Sequence, residues 1–147
     1  MKFLGIDPGK RYIGLAMADD QVKIAMPYQV LDMNDHESLF KELEKIVAKE
    51  KIQKIIVGYP IGMSGKPTEQ TKITEQFIRQ LKKQVNPVKS RKAGISPKAK
   101  LFNRVNIPII RFDERLSSKM ADKLSSGQKQ NHAVAANIIL QDYLDKN

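Results

Sequence analysis

The 147-residue chain contains no cysteine, no tryptophan and only two histidines. Without a thiol, disulfide frameworks, zinc–thiolate sites and cysteine nucleophiles are excluded together. Long hydrophobic runs are missing too: nothing approaches the ~18–20 apolar residues of a membrane span. The amino-terminal run Phe3-Leu4-Gly5-Ile6 meets a carboxylate at Asp7, unlike a secretory leader, so the expected location is the cytoplasm with no membrane partner. What is present is ordinary for a globular chain, with 41% hydrophobic and 29% charged residues. At this length a core forms without covalent staples, and one domain over residues 1–147 is expected.

Acidic residues are absent from one long interval. None lies between Glu75 and Asp113, a stretch carrying Arg79, Lys82, Lys83, Lys89, Arg91, Lys92, Lys98, Lys100, Arg104 and Arg111. These ten account for the whole net charge of +10, since the other 16 basic residues are matched by 16 acidic ones. A one-sided block of this kind is either a footprint for phosphate backbones or a solvated surface that aids solubility. Nucleic acid is the favoured reading.

Periodicity gives the order of elements. Lys2 to Asp7 reads as a strand ending at the turn Pro8-Gly9, and Arg11 to Ala18 as a second strand hairpinned to it. Lys23 to Leu31 is a weaker strand whose Pro27 argues for an edge or a bulge. Asn34 or Asp35 can cap a helix to about Lys51 with Leu39, Phe40, Leu43, Ile46 and Val47 on one face. Lys54 to Gly58 is a continuous apolar strand of the kind buried on both faces. A second helix starts near Thr68, Ile107 to Phe112 is the last strand, and Ala133 to Leu144 closes the chain as a helix. The expected fold is therefore α/β: a mixed five-stranded sheet, three antiparallel strands followed by parallel ones, with helices on both faces. Residues 86–104 combine Pro, Gly, Ser and Lys with little apolar periodicity and read as a long mobile basic loop.

Three constellations stand at strand ends. Gly5-Ile6-Asp7-Pro8-Gly9-Lys10-Arg11 puts a carboxylate where α/β sheets place ligand sites. It is not a phosphate-binding P-loop, because Gly5 and Gly9 stand too close and a strand follows. Asp113-Glu114 leaves the last strand, and alternation lets at most one of the pair share a site with Asp7 while the strand remains regular. Gly58-Tyr59-Pro60-Ile61-Gly62-Met63-Ser64-Gly65 offers backbone N–H groups and the Ser64 hydroxyl to a phosphate, or is a plain crossover turn. Carboxylates converging from separate strands suit a hard cation such as Mg²⁺.

Together Leu4-Gly5-Ile6-Asp7-Pro8-Gly9-Lys10-Arg11 with Ile13-Gly14-Leu15-Ala16, Val57-Gly58-Tyr59-Pro60, Asp113-Glu114-Arg115-Leu116-Ser117-Ser118, and Ala135-Ala136 through Ile138-Ile139-Leu140-Gln141-Asp142-Tyr143-Leu144 resemble the YqgF (RuvX) family. The motifs keep the family's order over essentially the whole chain. The resemblance implies an RNase H-like fold and Mg²⁺- or Mn²⁺-dependent phosphodiester hydrolysis. It implies Asp7 as central metal ligand and the Asp113-Glu114 pair as source of the second carboxylate, Glu114 being the expected ligand. The implied role is 5′-end processing of pre-16S ribosomal RNA in ribosome biogenesis; the family has also been described as Holliday junction resolvases.

Two features depart from the family pattern. The family usually carries an aspartate just before the last helix's Ala-Ala pair, where this chain has Asn131-His132. An imidazole is a poorer Mg²⁺ ligand, yet it can act as a base or orient water, so His132 joins the candidate catalytic residues. Otherwise it is an ordinary helix-start residue. The 86–104 segment is longer than the family's usual connection. Expected backbone contacts are Lys10, Arg11, Ser64, Arg79, Lys82, Lys83, Lys89, Arg91, Lys92, Lys98, Lys100 and Arg104. Structured RNA is the favoured substrate for a monomer or homodimer. The alternatives are a dimeric resolvase of branched DNA, a non-catalytic RNA-binding assembly factor and, less well supported at this chain length, a nucleotide-binding ATPase.

Overall fold

A computed structural model describes residues 1–60, 66–86, 106–114 and 131–147, with Glu114 described through its backbone. The strands are β1 (Lys2–Pro8), β2 (Tyr12–Asp19), β3 (Met26–Asp32), β4 (Ile52–Pro60) and β5 (Ile109–Glu114). The helices are α1 (His36–Lys49), α2 (Glu69–Val85) and α3 (Asn131–Lys146). The expected loop at 86–104 lies, apart from Asn86, outside the described residues. No described helix is long and apolar enough to cross a membrane.

The sheet has five strands in the order β3-β2-β1-β4-β5. β1–β2 and β2–β3 are antiparallel, while β1–β4 and β4–β5 are parallel. This is the RNase H-like architecture, a mixed sheet with helices on both faces. Pro27 sits on the edge strand β3, and the register shifts between its partner Ala16 and Leu15. A residue without an amide donor is tolerated there because the ladder is already irregular.

Alternation divides the core in two. Leu4, Ile6, Ile13, Leu15, Ile55 and Val57 face α1 and α2, meeting Leu39, Phe40, Leu43, Phe77, Ile78 and Leu81. On the opposite face Phe3, Ala16, Ala18 and Ile56 meet Ala136, Ile139, Leu140 and Tyr143 of α3. Small residues on this second face let α3 lie close to the sheet. A Cβ at Gly5, for instance, would stand 2.8 Å from Leu140 Cβ.

Capping fixes where α1 and α2 start. Asp35 Oδ1 accepts from the Ser38 amide at 3.2 Å, and Thr68 and Thr71 form a reciprocal box at the start of α2. That start is tied to the carboxyl ends of two strands: Gln70 Nε2 donates to the Pro8 carbonyl and Thr71 Oγ1 to the Pro60 carbonyl, each at 2.7 Å. At the other end the Asn86 side chain exchanges two hydrogen bonds of 2.8 Å with the Ile107 backbone, just before β5. So α2 begins at the edge that carries Asp7 and finishes at the opposite edge.

Candidate active site

Asp7 lies on the α3 face of the sheet, one position past Ile6, which faces α1 and α2. Its backbone partner on β2 is Gly14. The register on the other side pairs Ile6 with Val57, so the next residue, Gly58, lies beside Asp7 on β4. The carboxylate is thus flanked across the sheet by positions that contribute no side chain of their own.

The start of α3 descends onto this gap. His132 Nδ1 comes within 3.8 Å of Asp7 Oδ2, with the two side chains 23% and 19% exposed. Both are therefore sunk but reachable from solvent. Burial pushes the Asp7 carboxyl above the ordinary carboxylate range, and the neighbouring imidazole only partly opposes this. At 3.8 Å the pair is not hydrogen-bonded, and His132 Nδ1 is buried with no hydrogen-bond partner among the described residues.

Three residues seat His132, Gly14 through its backbone and Gly9 and Tyr12 through its ring. A Cβ at Gly14 would lie 1.7 Å from the His132 carbonyl oxygen, and one at Gly9 would lie 3.1 Å from His132 Cε1. The Tyr12 ring packs at a tilt with its centroid 5.8 Å from that of His132, and the Arg11 guanidinium lies 5.2 Å from the Tyr12 ring centroid. The turn between β1 and β2 is closed by the Gly9 amide donating to the Tyr12 carbonyl at 2.9 Å. In the sequence Gly9 reads as a turn residue and Gly14 as part of the motif, and neither these roles nor Tyr12 points to His132. The available signal was a glycine inside a strand, which marks close backbone approach.

The carboxylate pair on β5 is separated by the same alternation. Ile110 and Phe112 pack against the α3 cluster, whereas Ile109 packs with the α1–α2 cluster and Arg111 binds Glu75 of α2. Position 114 therefore falls on Asp7's face and Asp113 on the other. Pro60 of β4 is the register partner of Glu114, so two strand spacings, roughly 10 Å of backbone, separate β1 from β5. Asp113 belongs instead to the surroundings of Tyr59, whose phenol is raised first by burial, then by Glu75, with Asp113 a smaller contribution.

The described basic residues do not form one surface around Asp7. Lys10 pairs with Glu69 at 3.7 Å between two exposed side chains, a weak contact. Arg79, Lys82 and Lys83 project from α2, on the layer opposite α3. Lys83 is about 20 Å along the helix from its start at Glu69. Arg111 is engaged: Nε and Nη2 donate to the two Glu75 oxygens at 2.9 and 3.1 Å, so it is not a free cation of the basic block. Ser64, Lys89, Arg91, Lys92, Lys98, Lys100 and Arg104 lie outside the described residues. Among the described residues no group of three or more His, Asp or Glu side chains is placed to hold a metal ion.

Comparison with known proteins agrees with this fold. The sequence matches the family described as RuvX, Holliday junction resolvase, over residues 1–146. A protein of Maridesulfovibrio salexigens is 32% identical over 152 residues, covering 98% of either chain. One of Chloroflexus aggregans is 30% identical over 150 residues, covering 97% of this chain and 92% of its own. Both carry the description "Putative pre-16S rRNA nuclease". Among solved structures, Thermus thermophilus RuvC matches with a TM-score of 0.57 at 12% identity, over 98% of this chain and 94% of its own. The Fowlpox virus resolvase in complex with Holliday junction DNA gives 0.51 at 8% identity, over 99% and 98%. At such identities the structural likeness speaks to the fold alone. With its motifs in order, its sheet order and a family match over residues 1–146, the chain belongs to the YqgF/RuvX family.

Proposed function

We propose that this protein is a metal-dependent endonuclease that hydrolyses phosphodiester bonds in the 5′-end processing of pre-16S ribosomal RNA. The observation that carries the reading is the Asp7–His132 pair, 3.8 Å apart at the end of β1, with the backbone of position 114 on the same sheet face two strands away. The relatives' descriptions favour ribosomal RNA as substrate.

Two described side chains suit a divalent cation: Asp7 brings a partly buried carboxylate and His132 Nδ1 a nitrogen with no hydrogen-bond partner among the described residues, while the backbone of position 114 lies on the same sheet face. Asp7, Glu114 and His132 would hold Mg²⁺ or Mn²⁺, which when bound supplies Lewis-acid polarisation of the phosphate and activation of water. The chain itself does the rest. Burial favours the neutral form of the Asp7 carboxyl in the metal-free protein, so this carboxyl gives up a proton when a cation binds here. Gly58 adds no side chain beside Asp7, while the space over Gly14 is taken by the backbone at the start of α3. Lys10 and Arg11 on the adjoining turn, with Arg79, Lys82 and Lys83 farther along α2, are proposed to hold the phosphate backbone. Ser64, Lys89, Arg91, Lys92, Lys98, Lys100 and Arg104 complete the proposed nucleic-acid contacts.

A second reading is resolution of four-way DNA junctions, favoured by the family's description. Purified protein offered pre-16S RNA and a four-way DNA junction side by side, with Mg²⁺ or Mn²⁺ and with chelator, tests both. Metal-dependent cleavage of the RNA alone is the expected result. Cleavage of the junction alone makes the second reading correct, and tight RNA binding with no cleavage makes the protein a non-catalytic assembly factor.

A further inference from the structure

We propose that His132 is a nitrogen ligand, paired with Asp7, for the cation of this site, and that this nitrogen biases the site toward Mn²⁺ over Mg²⁺. The inference rests on the metal-dependent reading above and names the ion which that reading leaves open.

The first support is the orphaned atom. His132 Nδ1 is buried, lacks a hydrogen-bond partner among the described residues and points at a carboxylate it does not reach. Burying such a polar atom unsatisfied is unfavourable, and a ligand on the nitrogen relieves it. The spacing suits a shared ion. Two ligand atoms each about 2.1 Å from one cation are ~3.0 Å apart at a right angle and ~4.2 Å apart when opposite. The observed 3.8 Å separation of Nδ1 and Oδ2 lies between those limits.

The second support is that the imidazole is held where it is. Its backbone sits against Gly14, its ring edge against Gly9, and its face beside Tyr12. Swinging the ring away would give up the Gly9 and Tyr12 contacts, while the Gly14 contact fixes the backbone from which it swings. The ring's own geometry therefore keeps nitrogen, rather than water, next to Asp7.

The third support is ligand chemistry. Mg²⁺ favours oxygen ligands and parts reluctantly with water, whereas Mn²⁺ accepts carboxylate oxygen and lies on the series whose affinity for nitrogen sites rises toward the later metals. A site of carboxylates plus one imidazole discriminates against Mg²⁺ more than an all-carboxylate site does.

The test is Mn²⁺ titration of the full chain followed by electron paramagnetic resonance and electron-spin-echo envelope modulation. The expected result is ¹⁴N modulation that converts to ¹⁵N in histidine-labelled protein. It persists in His36→Gln, which removes the chain's only other histidine, and vanishes in His132→Asp. Competition titration should then show the Mn²⁺/Mg²⁺ affinity ratio of His132→Asp lowered by at least about tenfold. Thermal melts verify folding, and His132→Gln takes the place of the aspartate variant if that fails to fold, with loss of the nitrogen signal as its expected result. Mn²⁺ that binds, is abolished by Asp7→Asn and yet shows no nitrogen modulation overturns ligation by His132 while the metal-dependent reading stands. An unchanged affinity ratio in His132→Asp overturns the selectivity. Absence of Mn²⁺ binding, or binding indifferent to Asp7→Asn, overturns both the proposal and the reading beneath it.

Discussion

Gly14 admits His132 to the sheet: a Cβ at position 14 would lie 1.7 Å from the His132 carbonyl oxygen and 2.7 Å from the Ala133 amide nitrogen. Those are backbone atoms of a helix start, so no rotamer change relieves the overlap. Because Gly14 is also the β2 partner of Asp7, one glycine sets both the neighbour of the carboxylate and the depth to which α3 descends. Gly14→Ala should push the first turn of α3 outward and destabilise the fold by about 2–4 kcal/mol. Urea denaturation measures the loss.

A second prediction concerns the charge on Asp7. Burial raises its carboxyl above the ordinary range, so in metal-free protein the folded state binds the proton more tightly than the unfolded chain. The favourable contribution is full at low pH and is lost as pH rises through the raised value. Asp7→Asn removes the titrating group. The variant should therefore gain stability relative to wild type as pH rises through the raised value of the Asp7 carboxyl. Paired thermal melts on both sides of that value, in chelator, check it.

Alternation on β5 separates the roles of two adjacent carboxylates. Glu114→Gln should lower the cleavage rate by at least about a hundredfold, as loss of a metal ligand does, whereas Asp113→Asn should stay within about threefold of wild type. Single-turnover cleavage of pre-16S RNA distinguishes them. Equal losses in the two variants would mean that the strand turns before position 113.

The Glu75–Arg111 pair ties β5 to α2 on the face away from Asp7. Arg111 holds the Glu75 carboxyl below the ordinary glutamate range, so the pair's contribution is present above that range and lost as pH falls through the depressed value. Both partners are about a third exposed, which keeps the effect near 0.5–1 kcal/mol at neutral pH. Glu75→Gln should cost that amount at pH 7 and nothing in strong acid, as read by denaturant melts at the two pH values.

Cations on α2 act at a distance from the chemistry. Lys82→Gln with Lys83→Gln should weaken RNA binding and reduce the salt slope of log K by roughly 0.7–0.9 for each phosphate contact removed, with no change in Mn²⁺ affinity. Filter binding at several salt concentrations tests this.

Much of this arrangement was legible in the chain itself. Asp7 before Pro8-Gly9, Asp113-Glu114 at the end of an apolar run, and Pro27 as an edge signal all read correctly, because each is a local pattern of burial and turn chemistry. The helix extents also followed closely, since Asp35 and Thr68 are caps with fixed chemistry. What did not follow was the contact between elements far apart in sequence. The faces of Asp113 and Glu114 became distinct only once Phe112 met α3 and Arg111 met Glu75. The seating of His132 by Gly9, Tyr12 and Gly14 depends on where α3 crosses the sheet; Gly14 inside a strand signals a close backbone approach but does not say which element approaches. Arg111 was counted with the free charges because its partner Glu75 lies 36 residues earlier.

The central claim, that Asp7 anchors a metal-dependent nuclease site, is tested most directly by single-turnover cleavage of pre-16S RNA by wild type and Asp7→Asn, each with Mn²⁺, with Mg²⁺ and with chelator. The account predicts cleavage by wild type only when a divalent cation is present, and none by Asp7→Asn under any condition although the variant remains folded. Cleavage that survives Asp7→Asn, or that proceeds in chelator, would contradict it.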